Sequence, residues 1–341
     1  MTDLTESAGH KPVMLKEVVE ALSPKNGGVY VDATFGAGGY SRAILAAADC
    51  TVYGFDRDPT AIARAGEWAD KFAGRLFLIN RPFAEMREAL GERGVETIDG
   101  VVFDIGVSSM QLDEAERGFS FRHDGPLSMR MDGGKPDAAD VIARADAHDL
   151  AAIFRRYGEE NNANAIARAI VREREKEPIT TTGRLAEIIE QAAPGAGRFK
   201  IHPATRVFQG LRIFVNDELG QLIAGLRAAE RLLRPAGRIV VVAFHSLEDR
   251  IVKRFLAGRS TARPGGSRHM PPSDEAPASF ELLYSRAVES SAAEVEGNPR
   301  ARSAKLRAAI RTEAPPSPDG VEGLGAPKEI KLSFMDGGRR K

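Results

Sequence analysis

Cysteine is almost missing from this chain of 341 residues, Cys50 being the only one. A single thiol excludes an internal disulfide framework and any zinc site built on two or more thiolates, and it fits a reducing compartment. Net charge is missing too. The 48 Lys and Arg balance 48 Asp and Glu, so a broadly basic coat is excluded and any nucleic-acid surface must be a local patch. No run approaches the ~20 apolar residues that span a bilayer. The N-terminal MTDLTESAGHKP lacks the apolar stretch of a secretory signal, so a soluble, cytoplasmic protein with no membrane partner is expected. What is present is ordinary globular material. A 43% share of AVILMFWYC and 28% of charged residues argue against a largely disordered chain, and the length predicts roughly two domains.

The first third alternates short runs rich in β-formers with helical stretches: VYVDAT from Val29, TVYGFD from Thr51, RLFLIN from Arg75 and GVVFDI from Gly100. That order predicts an α/β fold with a parallel sheet covered by helices, and RIVVVAF from Arg238 reads as a further buried strand of the same sheet. Asp58 followed by Pro59 resembles an N-cap and a first helical position. Between Ile105 and Arg238 the strand-like runs stop. Leu150, Ile153, Phe154 and Tyr157 fall at helical spacing, as do Leu185, Ile188, Ile189 and Ala192, and Leu211, Val215, Leu219, Leu222, Ile223 and Leu226 predict one further long helix. The break in pattern implies an inserted, mainly helical subdomain. Ahead of it, QLDEAERGFSFRHDGPLSMRMDGGKPDAAD reads as a long structured loop, and GRSTARPGGSRHMPPSDEAPAS from Gly258 as a second irregular stretch.

Strand VYVDAT runs straight into FGAGGYSRAIL, which places Gly36, Gly38 and Gly39 at a strand-to-helix turn. Glycines there let a ligand approach the backbone, and amides at a helix start hold anions. Asp56 ends the next strand, where a carboxylate can accept both hydroxyls of a ribose. Together these features predict a nucleoside cofactor. The dinucleotide pattern would need a third glycine at position 41, which is Ser41, and Asp32 suits an ammonium and a sulfonium better than a pyrophosphate. S-adenosylmethionine (SAM) is therefore favoured over NAD. Asp104 closes the fourth strand, and with Gln111 it could touch the adenine or line the entrance for a methyl acceptor.

Nine ordered motifs carry a family resemblance: HKPVML at His10, DATFGAGGYS at Asp32, GFDRDP at Gly54, FDIGVSSMQLD at Phe103, ERGFSFRHDGPLSMRMD at Glu116, YGEE at Tyr157, HPATRVFQGLRIFVNDEL at His202, FHSLEDRIVK at Phe244 and NPRARSAKLR at Asn298. From about His10 to Thr312 the chain resembles the RsmH (MraW) family of ribosomal RNA small-subunit methyltransferases. The resemblance implies a class I SAM-dependent methyltransferase core, Rossmann-like, with an inserted helical domain. It also implies methylation of the exocyclic amino nitrogen of one decoding-centre cytidine in 16S rRNA, within the small ribosomal subunit, and a homodimer is compatible with it. Residues 1–112 and 213–312 are then the core, 113–212 the substrate-recognition insert and 313–341 a flexible tail. The implied cofactor residues are Gly38, Gly39, Tyr40, Asp56, Phe83, Asp104 and Gln111, with Asp32 and Gly36 in support. Position 40 often holds histidine in the family, so Tyr40 offers only its backbone.

An exocyclic cytosine amine is a poor nucleophile, because its lone pair is delocalised into the ring. Many amino-methyltransferases carry an acid, Asn or Ser followed by two prolines and an aromatic residue at the end of the fourth strand. Here that stretch reads Asp104, Ile105, Gly106 and Val107, so the group that polarises the amine is not given by that pattern. Asp104, His245, Ser246 and Glu248 are the candidates for acceptor positioning, with His245 able to take a proton. No metal site is expected. Arg198, Lys200, Arg206 and Arg212 form one cluster of cations without an acid, and Arg300, Arg302, Lys305, Arg307 and Arg311 another, both suited to phosphates. Phe119 and Phe121 could stack on a splayed base or pack in the core, and Arg130 and Asp132 are placed to stabilise their loop by pairing. Three other readings remain open at this level: an NAD oxidoreductase, a SAM-binding assembly factor without catalysis, and a methylase of DNA or free nucleotides.

Overall fold

The apolar runs of the first third form strands β1 (Val29–Asp32), β2 (Thr51–Phe55), β3 (Leu76–Ile79) and β4 (Ile98–Asp104), and the later run forms β5 (Leu233–Ala243). The computed structural model describes residues 12–193, 202–260, 277–317, 323–332 and 334. Side chains in the interior of β4 and at the carboxyl end of β5 are buried in succession, as expected for central strands covered on both faces. Three strands were not expected: β6 (Phe280–Leu282), β7 (Val288–Glu289) and β8 (Lys305–Arg311). The sheet order is β3-β2-β1-β4-β5-β8-β6, with β7 also on β8; β1 to β5 pair in parallel and β6 to β8 antiparallel.

Pairing starts from β1 and leaves it in both directions, to β2 on one side and β4 on the other. Open α/β sheets bind ligands where such a reversal leaves a crevice at the carboxyl ends. Asp32 and Asp104 are the last residues of the two strands that flank it here. The core beneath includes Val31, Val101, Val102, Val240 and Val242, all with no exposed surface.

Two compact units divide the chain: Met1–Gly106 with Leu219–Ala326, and Val107–Glu218 with Pro327–Lys341. All eight strands lie in the first. The second holds five helices of seven residues or more, Ala138–Arg144, Ala147–Arg156, Ala163–Arg174, Thr182–Ala192 and Pro203–Asn216. It begins at 107 rather than 113 and ends at 218 rather than 212. The Ser108–Gln111 capping box opens its first short helix, and Arg212 grips Glu218 through two hydrogen bonds of 2.8 Å. The single long helix expected around Leu211–Leu226 is two helices, because Asp217 turns into the left-handed region at φ 48° and stops the first. The described part of the expected flexible tail is packed: Leu324 and Leu332 are buried, and Arg156 donates to the Lys328 carbonyl. Among the described residues, no helix is long and apolar enough to cross a membrane.

Candidate active site

Asp32 is fully buried and braces the glycine turn from below. Its Oδ2 accepts from the Ser41 amide at 3.1 Å and the Ser41 hydroxyl at 2.7 Å, and Oδ1 accepts from the Thr34 amide. These bonds tie β1 to the helix Gly39–Ala47, so Asp32 shapes the turn that a ligand would meet. Gly36 has φ +53°, a conformation costly for other residues, and a side-chain carbon added there would meet only a carbonyl oxygen at 3.8 Å. Its open face fits close approach by a ligand. Gly38 and Gly39 are different. A side-chain carbon on Gly38 would lie 2.2 Å from Trp68 Cζ2, and one on Gly39 would lie 2.1 Å from Pro12 Cγ. The space above these two glycines is filled by the protein itself. Trp68 stacks on Phe35 at 5.6 Å and carries the Arg42 guanidinium on its ring. The ring of Tyr40 is buried and its hydroxyl donates to the Val13 carbonyl, leaving the backbone as its available part.

Asp56 follows directly on β2 and accepts from the Gly36 amide and the Asp58 amide, each at 2.8 Å, one on each carboxylate oxygen. A carboxylate has about four acceptor sites, so two remain for ribose hydroxyls. Burial pushes the Asp32 and Asp56 carboxyls each up to about 6. Phe83 packs edge-on against Phe103 at 5.5 Å in the same unit. Gln111 belongs to the other unit, where its side-chain oxygen accepts from the Ser108 amide at 3.1 Å as part of the capping box.

Asp104 has its amide fixed by the Thr34 hydroxyl at 2.7 Å, while its Oδ1 is buried and accepts no hydrogen bond. Gly106, two residues on, sits at φ +124°, and a side-chain carbon added there would meet only Phe244 Cδ2, at 3.7 Å, an opening that the sequence reading did not assign. Burial first, then the like charges of Asp32 and Glu248, pushes the Asp104 carboxyl up to about 8. Glu248 is fully buried, and its Oε2 accepts from the Phe244 and His245 amides. His245 caps the helix Ser246–Gly258 in return, with Nδ1 accepting from the Glu248 amide at 3.4 Å. Of the four acceptor-positioning candidates, His245 and Glu248 thus hold a helix start, and Ser246 is exposed.

This arrangement fits SAM. An open glycine, a carboxylate with spare acceptor sites and an orphaned acid oxygen lie in one unit, and the carboxyls of Asp32 and Asp56 suit a cationic ligand and repel a pyrophosphate. The match to known proteins agrees with the geometry. Residues 7–312 match the model of the MraW methylase family. The chain belongs to that family. Ribosomal RNA small subunit methyltransferase H of Parvibaculum lavamentivorans is 56% identical over 316 residues, 93% of either chain. The proteins of the same name from Nitrobacter hamburgensis and Maricaulis maris are also 56% identical, over 93% and 90% of this chain and 95% and 92% of theirs. This MraW methylase has an α/β core around its sheet, and SAM is its methyl donor.

The cations of the methylase divide sharply. Arg198 and Lys200 lie outside the described residues. Arg206 and Arg302 are exposed, and Arg300 and Lys305 are half-buried. Arg212 and Arg307 do not serve as free phosphate contacts, because each spends its guanidinium on a bidentate pair, Arg212 with Glu218 and Arg307 with Asp249. Arg311 is buried and donates to the carbonyls of Glu230, Ser279 and Thr312. Phe119 is buried, whereas Phe121 packs on His202 at 4.8 Å and Phe208 at 5.1 Å. Arg130 and Asp132 pair as expected, through bonds of 2.8 and 2.6 Å.

Proposed function

We propose that this methylase modifies 16S rRNA within the small ribosomal subunit, at the exocyclic N4 of a decoding-centre cytidine, cytosine 1402 in the usual rRNA numbering. The observation that carries the reading is identity of 56% across more than nine-tenths of the chain to relatives named for methylation of small-subunit rRNA. The donor, when bound, supplies a methyl group activated by its sulfonium. Gly36, Asp56, Phe83 and Asp104 would hold it, with Asp32 keeping the turn in shape.

Cys50 supports the choice of an amine over a ring carbon. Methylation at C5 of a pyrimidine needs a thiolate that adds to the ring, whereas Cys50 is buried just before β2, at the strand end opposite Asp56. An amine needs positioning and a hydrogen-bond acceptor instead. Asp104 supplies the acceptor, and the reciprocal cap between His245 and Glu248 fixes the backbone that follows β5. The target base must leave its stack to reach this edge. Arg206, Arg300, Arg302 and Lys305 are the described cations proposed to hold the rRNA backbone.

The test mixes purified protein, methyl-labelled SAM and small subunits from cells lacking the activity, with naked 16S rRNA, DNA and free cytidine in parallel. Label in the 16S rRNA of the subunit is expected. Label confined to DNA or free cytidine, or no label beside an active control enzyme, contradicts the reading.

A further inference from the structure

The carboxyls at the sheet's carboxyl edge differ in the donors they receive. Asp32 receives three hydrogen bonds, Asp56 two, and Glu248 two backbone amides. Asp104 presents a buried Oδ1 that receives none. Its backbone is pinned through the Thr34 hydroxyl, so the side chain cannot move far to find a partner. A buried carboxylate oxygen without a donor is costly, and it persists where a ligand or a proton completes it.

The groups around Asp104 sharpen the point. Asp32 at the end of β1 and Glu248 on the helix Ser246–Gly258 both act on it with its own sign. Tyr40, on the helix Gly39–Ala47, is also within electrostatic reach; burial holds its phenol protonated, so it adds no charge. His245 lies against Glu248, with Nε2 2.9 Å from Oε1.

We propose that Asp104 changes protonation state with the ligand: a carboxylate opposite the cationic methyl donor and a carboxylic acid opposite the neutral thioether product, so that its charge tells the two apart. SAM and S-adenosylhomocysteine differ by one methyl group and one positive charge. A cation beside Oδ1 offsets the repulsion from Asp32 and Glu248, and a neutral sulfur does not. In the ligand-free protein Asp104 is pushed up to about 8, so at pH 7 it is mostly protonated. Binding the donor then expels that proton, and binding the product leaves it in place. Asp32 and Asp56, pushed only to about 6, are mostly ionised at pH 7 and add little to the exchange. The inference rests on SAM as the donor and is independent of which acceptor is methylated.

Titration calorimetry of the full chain at pH 7, in two buffers of different ionisation enthalpy, counts the protons exchanged with each ligand. SAM is expected to release about 0.9 proton more than S-adenosylhomocysteine, following from a carboxyl that titrates one unit above the working pH. Asp104→Asn keeps the shape and cannot ionise, so it lowers that difference by the same amount, about 0.9 proton; any titration of the ligands' own amino groups is common to both proteins and cancels between them. In wild type the affinity ratio of SAM to S-adenosylhomocysteine should also rise roughly tenfold between pH 7 and pH 9, as the competent fraction grows. Equal proton counts for the two ligands, a difference that is undiminished in Asp104→Asn, or a flat ratio across that pH range would overturn the proposal.

Discussion

Gly36 and Gly38 stand two residues apart in one turn and both take the left-handed backbone, at φ +53° and +76°. Gly36 faces open space and donates to Asp56, whereas Gly38 lies in addition against the indole of Trp68. Gly38→Ala is therefore expected to lower stability by roughly 1–3 kcal/mol through overpacking. Trp68→Ala in the same chain should recover part of that loss. A thermal-unfolding cycle checks the coupling, and strictly additive effects of the two changes would show that the contact does not set the residue. The sequence placed all three glycines at the correct turn. It could not say which ones face a ligand, because that depends on Trp68, thirty residues away, folding back over the turn. Buried acids give a second expectation. Asp32, Asp56 and Asp104 all titrate above the ~3.9 of an unfolded aspartate. Below about pH 4 both states hold these protons and no penalty arises; as pH rises the unfolded chain loses them first, so the folded state is progressively disfavoured until about pH 8. The Asp104→Asn protein without ligand should thus gain melting temperature relative to wild type as pH is raised from 5 to 8.5. A difference that stays constant with pH would remove Asp104 from the set.

At the scale of elements, β8 shows why two cations of one basic cluster are held by the fold. KLRAAIR looks like a run of cations, yet it is a strand paired with β5, and two of its cations are taken up by neighbouring groups. Arg307 meets Asp249, and Arg311 reaches the carbonyls beside Glu230. The paired alanines Ala308 and Ala309 hide the strand's period of two, and its partner lies more than sixty residues away in the sequence. By contrast β4 and the carboxyl end of β5 were readable as runs because both faces of those strands are covered. The distinction can be measured. Arg206→Ala and Arg302→Ala should leave the melting temperature unchanged and each reduce the salt slope of RNA binding by about 1, in line with loss of one phosphate contact. Arg311→Ala should instead lower the melting temperature. Unfolding by Arg302→Ala, or a reduced slope with intact stability in Arg311→Ala, would reverse these roles. Glu230 anchors the same region: it accepts from Arg259 at 2.8 Å, from the Ser279 hydroxyl at 2.6 Å and from the Ser317 amide at 2.9 Å. Its replacement by alanine leaves buried Arg259 without its carboxylate and should cost about 3–5 kcal/mol in denaturant unfolding.

Across the whole molecule, the strand-like runs stop after Ile105, and the described elements of the second unit are helices. The second unit's limits were less readable, since Asp217 breaks one apolar period into two helices through a backbone turn that hydrophobic spacing does not report. The chemistry follows the same division of labour between what is local and what is assembled. Asp32 and Asp104 each end a strand and Asp56 directly follows one, and all three were visible as such, while the orphaned Oδ1 and the opening at Gly106 exist only once β1, β4 and β5 lie side by side. The central claim is that this edge delivers a methyl group to the amine of a cytidine in small-subunit rRNA. The most direct test is to digest 16S rRNA after reaction with methyl-labelled SAM and identify the labelled nucleoside by mass spectrometry. N4-methylcytidine is the result expected; label in 5-methylcytidine, in a ribose-methylated nucleoside or in a base other than cytosine would contradict it.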